Sequence, residues 1–309
     1  MASIRNARLR LIVGGALLST LSGCYDYPAV NSLSSTAVKA VDEWQPIADD
    51  YVQNCKRAVV LEAINPAAGT DPCASFVTTQ KQLGDAFTIL KNYFNALGAV
   101  ASDSNYALDP GIDALGSEAV ALGSNKDQTD AITKLAGALA NVALAGVRQH
   151  SMSELVDETD HVILVVQAVQ HVVDVDYRGN IEQEGGLWMN QMINPASALH
   201  LTGTMPICAG DRISWDDPKP KNADAQQVTF QAFYTDRCND IIGRAAAIKV
   251  FDQSAQHLVD ALTMLKKNRA QLRDKAVAKD LIFPQAKALF DDAQALQKAF
   301  SATSSKKGA

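Results

Sequence analysis

The stretch DPCASFVTTQKQLGDAFTILKNYFNALGA, residues 71–99, decides how this chain folds. Asp71-Pro72 is a helix-start signal, a capping residue type followed by a proline whose fixed φ suits the first helical position. Beyond it Phe76, Leu83, Phe87, Leu90, Phe94 and Leu97 recur at helical intervals, which lays them along one face. Such a stripe is stable only when buried against another, and the chain offers several of the same period. Upstream, Val38, Val41, Ala48, Val52, Cys55 and Val59 form one, with Asp42, Glu43, Asp49 and Lys56 on its other faces. Pro46 predicts an interruption or bend there, since it removes a backbone donor. Asn65-Pro66 to Gly69 reads as the turn between the two helices.

Downstream, a polar loop over 102–111 leads to a short helix with Ile112, Leu115, Ala119 and Leu122. After the break at Gly123–Asp127 comes a helix with Ile132, Leu135, Leu139 and Val142, whose alanine and glycine neighbours permit close packing. Leu155, Thr159, Val162, Val166, Val169 and Val173 repeat in steps of three and four, so this valine-rich run reads as a buried helix rather than a strand. Tyr177-Arg178-Gly179-Asn180 reads as its end, and Leu187–Ile193 as a short helix stopped at Asn194-Pro195. Residues 195–222 are irregular and rich in proline. A long stripe from Ile241 to Leu272 and a last helix from Phe283 to Phe300 complete the pattern, with a disordered tail from Ser301. The fold class expected is all-α: an elongated bundle of six to eight helices with an irregular, disulfide-tied loop.

The N-terminus has a different character. Arg5, Arg8 and Arg10 precede an apolar run, Leu11 to Leu18, too short to be read as a spanning helix. Leu21-Ser22-Gly23-Cys24 follows and resembles the lipobox of bacterial lipoprotein precursors. The resemblance covers only this leader. It implies diacylglycerol on the Cys24 thiol, cleavage between Gly23 and Cys24, and an acylated new amine. It also implies, with Tyr25 rather than aspartate after the cysteine, retention in the outer membrane of a Gram-negative cell, facing the periplasm. The domain reading is then a signal peptide over 1–23, a lipidated tether over 24–31, a helical domain over 32–300 with a possible division near 195–222, and a tail over 301–309.

Four further cysteines, Cys55, Cys73, Cys208 and Cys238, remain in the mature chain. An even number in an exported protein points to disulfides. Three pairings are possible, and Cys55–Cys73 with Cys208–Cys238 is preferred because each pair is close in sequence. The first would pin a helical hairpin near its turn, and the second would tie the irregular loop to the following helix. Each would contribute about 3 kcal/mol by restricting the unfolded chain.

The chain carries 28 basic and 34 acidic residues. An acidic body with no basic cluster argues against nucleic acid and against an anionic lipid surface as the main ligand. No nucleophile, phosphate-loop or dinucleotide motif is present, and no cofactor is implied. Glu158 and His161 have the Glu-x-x-His step of carboxylate metal sites, but only once, and an ordinary solvated helix pair explains them as well. Trp188, Met192 and Trp215 are candidates for lining an apolar ligand pocket, against core packing as the simpler account. The function expected is that of a non-enzymatic envelope lipoprotein, held in the bilayer by acylated Cys24 and contacting another envelope protein or acting as a structural element. The alternative is a helical binding protein for a small or lipid-like ligand.

Overall fold

The computed structural model describes residues 27–62, 71–102, 104, 112–145, 152–201, 205–206, 208, 224–268 and 275–304. Its helices are α1 (Tyr27–Leu61), α2 (Ala74–Ala101), α3 (Ile112–Ala119), α4 (Lys126–Ala145), α5 (Met152–Asp157), α6 (Thr159–His171), α7 (Arg178–Ala198), α8 (Ala225–Lys267) and α9 (Lys275–Ser304). A 3-10 turn, Val120–Leu122, follows α3, and a π-helical turn, Val172–Tyr177, joins α6 to α7. The result is an elongated all-α bundle. At 1.5 Å per residue α8 spans about 64 Å and α1 about 52 Å.

Helix α1 packs along α2 on one side and α9 on another, and α9 packs in turn on α8; α3, α4 and α6 cover the far side of α2. The stripe first read over 76–97 is the heart of this arrangement, with Leu83, Phe87, Leu90, Phe94 and Leu97 buried. Trp44 of α1 meets Phe87 of α2 and Phe251 of α8 edge-on, at centroid distances of 6.0 and 5.1 Å. Its indole Nε1 donates to Ser254 Oγ at 3.1 Å, so the one polar atom of a fully buried ring is satisfied. Tyr93 similarly donates its hydroxyl to the Leu155 carbonyl at 3.0 Å, joining α2 to α5.

These contacts fix direction as well as proximity. With Trp44 beside Phe251 and Ser254, and Asp50 beside Arg244, α8 runs antiparallel to α1. Lys39 lies over the Phe290 ring at 5.7 Å, which sets the middle of α9 against α1. His257 Nδ1 and Asp292 Oδ2, 2.5 Å apart, set α8 against α9.

Several local expectations are corrected. Pro46 does not interrupt α1, which runs through it to Leu61. The carbonyl that Pro46 leaves unpaired belongs to the exposed Asp42, while Trp44, Ile47 and Ala48 are buried, so packing outweighs the lost bond. Helix α1 starts at Tyr27 and already buries Ala29 and Val30, so residues 27–31 of the stretch read as a tether are helical. The valine run is helical as expected but does not end at Tyr177-Arg178-Gly179-Asn180. One π turn re-phases the helix so that Tyr177, Ile181, Glu184 and Trp188 continue its buried face. Helix α7 then passes through Pro195 to Ala198, and α9 extends through Ser301 to Ser304. Leu272 lies outside the described residues. One continuous apolar core includes residues on both sides of 195–222, which supplies no reason to divide the chain there.

Both preferred disulfides are formed, Cys55–Cys73 with Cα atoms 5.9 Å apart and Cys208–Cys238 with Cα atoms 5.0 Å apart. The long helix α8 is started by a capping box in which Asp224 and Gln227 each accept the other's backbone N–H, at 2.8 and 3.2 Å.

Two glycines separate propensity from packing. A side-chain carbon at Gly116 of α3 would run into the Ala136 methyl of α4, whereas one at Gly84 of α2 meets nothing within 4 Å. Gly84→Ala is therefore expected to raise stability by about 0.5–1 kcal/mol through helix propensity. Gly116→Ala is expected to lower it by about 1–3 kcal/mol through overpacking. Urea unfolding of the two variants checks the opposite signs.

Candidate functional site

Seven polar side chains from α1, the π turn and α8 converge near the Cys55–Cys73 end of the bundle around one carboxylate of α7. Glu184 of α7 is 0 % exposed. Its position between Ile181 and Trp188 places it on the apolar stripe, so the helix carries it into the core. There it accepts from Asn54 Nδ2 at 2.6 Å, from Arg57 Nε at 3.1 Å, and from Arg244 Nη1 and Nη2 at 2.7 and 2.9 Å. Arg237 Nη2 also donates to it. Two further carboxylates complete the balance. Asp50 accepts a bidentate pair from Arg57 at 2.9 and 2.7 Å and the Tyr177 hydroxyl at 2.9 Å. Asp240 accepts from Arg237 and Arg244, both at 3.1 Å. Three arginines thus face three carboxylates.

Charges shielded from water must be paired to be tolerated, and the protonation equilibria reflect this. Burial alone would raise the Asp50 carboxyl, but hydrogen bonds and charge from Arg57 and Arg244, with the Tyr177 hydroxyl, outweigh it and hold the group below its ordinary value. For Glu184 burial is likewise outweighed, by Arg244 first and then by Arg57 and Arg237. Burial lowers Arg237, against the pull of Glu184. Tyr177 is pushed well up by burial and by the Asp50 charge, so it stays a hydroxyl donor.

Next to this network a cleft of about 370 Å³ opens between α1, α2 and the π turn. Tyr51 and Phe76 form its aromatic side, 5.4 Å apart, and Thr79, Asp176 and Asn180 line the rest. Tyr51 stacks on Tyr177 at 5.9 Å, which connects cleft and network. Burial, then the Asp176 charge, raises the Tyr51 hydroxyl to about 12, so it offers a hydrogen bond and not a phenolate. The Cys55–Cys73 disulfide fixes the α2 wall against α1. A recess with an aromatic side, hydroxyls and one carboxylate can hold a small polar molecule.

The residues singled out from sequence are distributed as follows. Glu158 Oε2 and His161 Nδ1 do meet, at 2.8 Å. Among the described residues no group of three metal-binding side chains forms, so the pair stands as a helix i,i+3 contact. Trp188 is buried against Phe233 at 5.2 Å and Tyr234 at 6.5 Å, and Met192 is half-buried against the same core. Both pack rather than line the cleft. Trp215 and Cys24 lie outside the described residues. The sequence reading missed the charge network, although two signals pointed to it. Glu184 interrupts an apolar stripe, and Arg237, Asp240 and Arg244 recur at helical intervals on one face of α8.

The network sets a pH dependence of definite sign. Asp50 and Glu184 titrate lower in the folded state than at their ordinary values of 3.8 and 4.5. Their stabilisation is complete above those values and is lost as pH falls through the lower folded ones. Stability is expected to decline below about pH 4.5 for this reason. Glu184→Gln, which strips the arginines of their shared partner, is expected to cost about 3–5 kcal/mol at neutral pH. It should also make the acid limb shallower; urea unfolding across the acid range checks both, and an unchanged limb would count against the network. Comparison with known protein families, with curated proteins and with solved structures finds no match for this chain.

Proposed function

We propose that the chain is a bacterial envelope lipoprotein, anchored through acylated Cys24, whose helical body acts as a non-enzymatic structural or interaction protein. The observation that carries this reading is the division of its five cysteines. Four are joined in two disulfides, a use of cysteine typical of exported proteins. The fifth is Cys24, directly after Leu21-Ser22-Gly23, behind a basic and apolar leader. Two or three acyl chains there would hold the protein far more firmly than one, each buried methylene contributing about 0.8 kcal/mol. No described helix is long and apolar enough to cross a membrane. Tyr25 after the cysteine favours the outer membrane, facing the periplasm.

The envelope partner is a protein that the anchored body reaches. The test is intact mass spectrometry of the chain purified from cell envelopes, followed by in-cell cross-linking. A mature chain beginning at Cys24 and carrying acyl mass is expected, with reproducible cross-links to an envelope protein that disappear in Cys24→Ala. Acylation without any reproducible partner would sink the interaction role and favour the second reading.

That second reading is a binding protein for a small ligand, and the cleft beside Tyr51 and Phe76 is what favours it. Its mixed lining suits a polar molecule better than an acyl chain. Gly179 faces open space at its edge, so Gly179→Phe would fill the cleft with little strain on the fold. A small molecule retained in native mass spectra of the wild type and lost in this variant is the expected sign of binding.

A further inference from the structure

The cleft beside Tyr51 and Phe76 holds a charge that the fold leaves unanswered. Its lining includes one carboxylate, Asp176, and no basic side chain. Neighbouring carboxylates are matched: Asp174 pairs with Arg178 at 2.6 Å, and Asp50 with Arg57 at 2.7 Å. Among the described residues Asp176 forms no ion pair. The three arginines of the adjoining network already face three carboxylates, so they lend the cleft no surplus of positive charge.

The π turn puts this carboxylate where it is. Tyr177 turns inward to donate to Asp50, and Asp176 before it stays exposed on the cleft. Such turns recur at functional sites because the extra residue re-aims its side chains. The Asp176 charge is felt at the Tyr51 hydroxyl, whose ionisation it opposes.

The rest of the lining suits an ammonium group. Tyr51 and the half-buried Phe76, 5.4 Å apart, supply aromatic rings that attract cations. Tyr51, hydrogen-bonded with Thr79, remains a hydroxyl whose oxygen can accept, and Asn180 adds an amide oxygen. Val175 is 54 % exposed at the same cleft and gives an apolar wall that an alkyl chain would cover. An anion would meet Asp176 with nothing to offset it. Two rings and several acceptors fit a primary ammonium, with its three N–H donors, better than a quaternary one.

We infer that the cleft binds a small primary alkylammonium ion, its N–H groups donating to Asp176 and its chain lying along Phe76 and Val175. This rests on the small-ligand reading above and names the class of ligand.

The test uses the full chain with carbon-13-labelled valine methyl groups and three probes that share a four-carbon chain: butylammonium, butanol and butyrate. Shifts of the Val175 methyl signals, assigned through Val175→Ala, report binding in the cleft itself. Butylammonium is expected to bind about ten-fold more tightly than butanol, and butyrate to cause no shift. Asp176→Asn should bring butylammonium down to the level of butanol without lowering Tm, because that carboxylate holds no ion pair. Asp127→Asn, which removes an exposed charge from α4, should change nothing. Gly179→Phe should abolish binding of both. Equal affinity for butylammonium and butanol, or no Val175 shift with butylammonium, would overturn the amine preference. Native mass spectra decide the underlying reading separately. A molecule retained by the wild type and lost in Gly179→Phe keeps the cleft as a ligand site even where butylammonium fails. With no molecule retained that reading loses its support, and the methyl titration still decides the preference for an amine.

Discussion

The burial of Glu184 is the constraint on which the rest of this structure depends. A carboxylate with no exposed surface is tolerated only where opposite charge and hydrogen-bond donors surround it. Here the donors come from two other helices: Asn54 and Arg57 from α1, Arg237 and Arg244 from α8. Each arginine also needs its own balance, which Asp50 and Asp240 supply. The register of α1, α7 and α8 is therefore fixed by ionic geometry as well as by apolar packing. A slip of one residue in any of them would leave a buried charge unpaired, a far larger penalty than a misfit between aliphatic side chains.

The two ends of the bundle are held by different means. Toward the start of α1, the long stripes do the work, with Trp44, Phe87, Tyr93, Phe94 and Phe251 buried and their polar atoms satisfied. Toward the other end covalent and ionic restraints join the apolar packing of Trp188, Phe230 and Tyr234. The Cys55–Cys73 and Cys208–Cys238 disulfides flank the Glu184 network along α1 and α8. The π turn belongs to this second regime. Its extra residue rotates Tyr177 inward to meet Asp50 and leaves Asp176 at the mouth of the adjoining cleft. The irregular structure that makes a recess there is thus tied to the same contacts that neutralise the buried charges.

Much of the fold was legible in the chain itself. The stripe at 76–97, the reading of the valine run as helix, the hairpin disulfide and the pairing of Cys208 with Cys238 all follow from spacing. Helix ends were less legible. Pro46, Pro195 and Pro284 each lie inside a helix, because the bonds lost are few and the buried contacts on either side are many. The candidate site was the least legible. Asp50, Arg57, Asp240 and Arg244 look like any solvated helix face, and residues as far apart as Asp50 and Arg244 share no local pattern.

Amphipathic periodicity is a property of a short window, so the sequence by itself determined that this protein is a set of helices with specific faces to bury. The Leu21-Ser22-Gly23-Cys24 pattern is local in the same sense. Which charges become buried and which prolines are tolerated were decided only by the tertiary structure. The reason is that burial and field at a side chain are set by neighbours brought from distant sequence, and no window of the chain contains them.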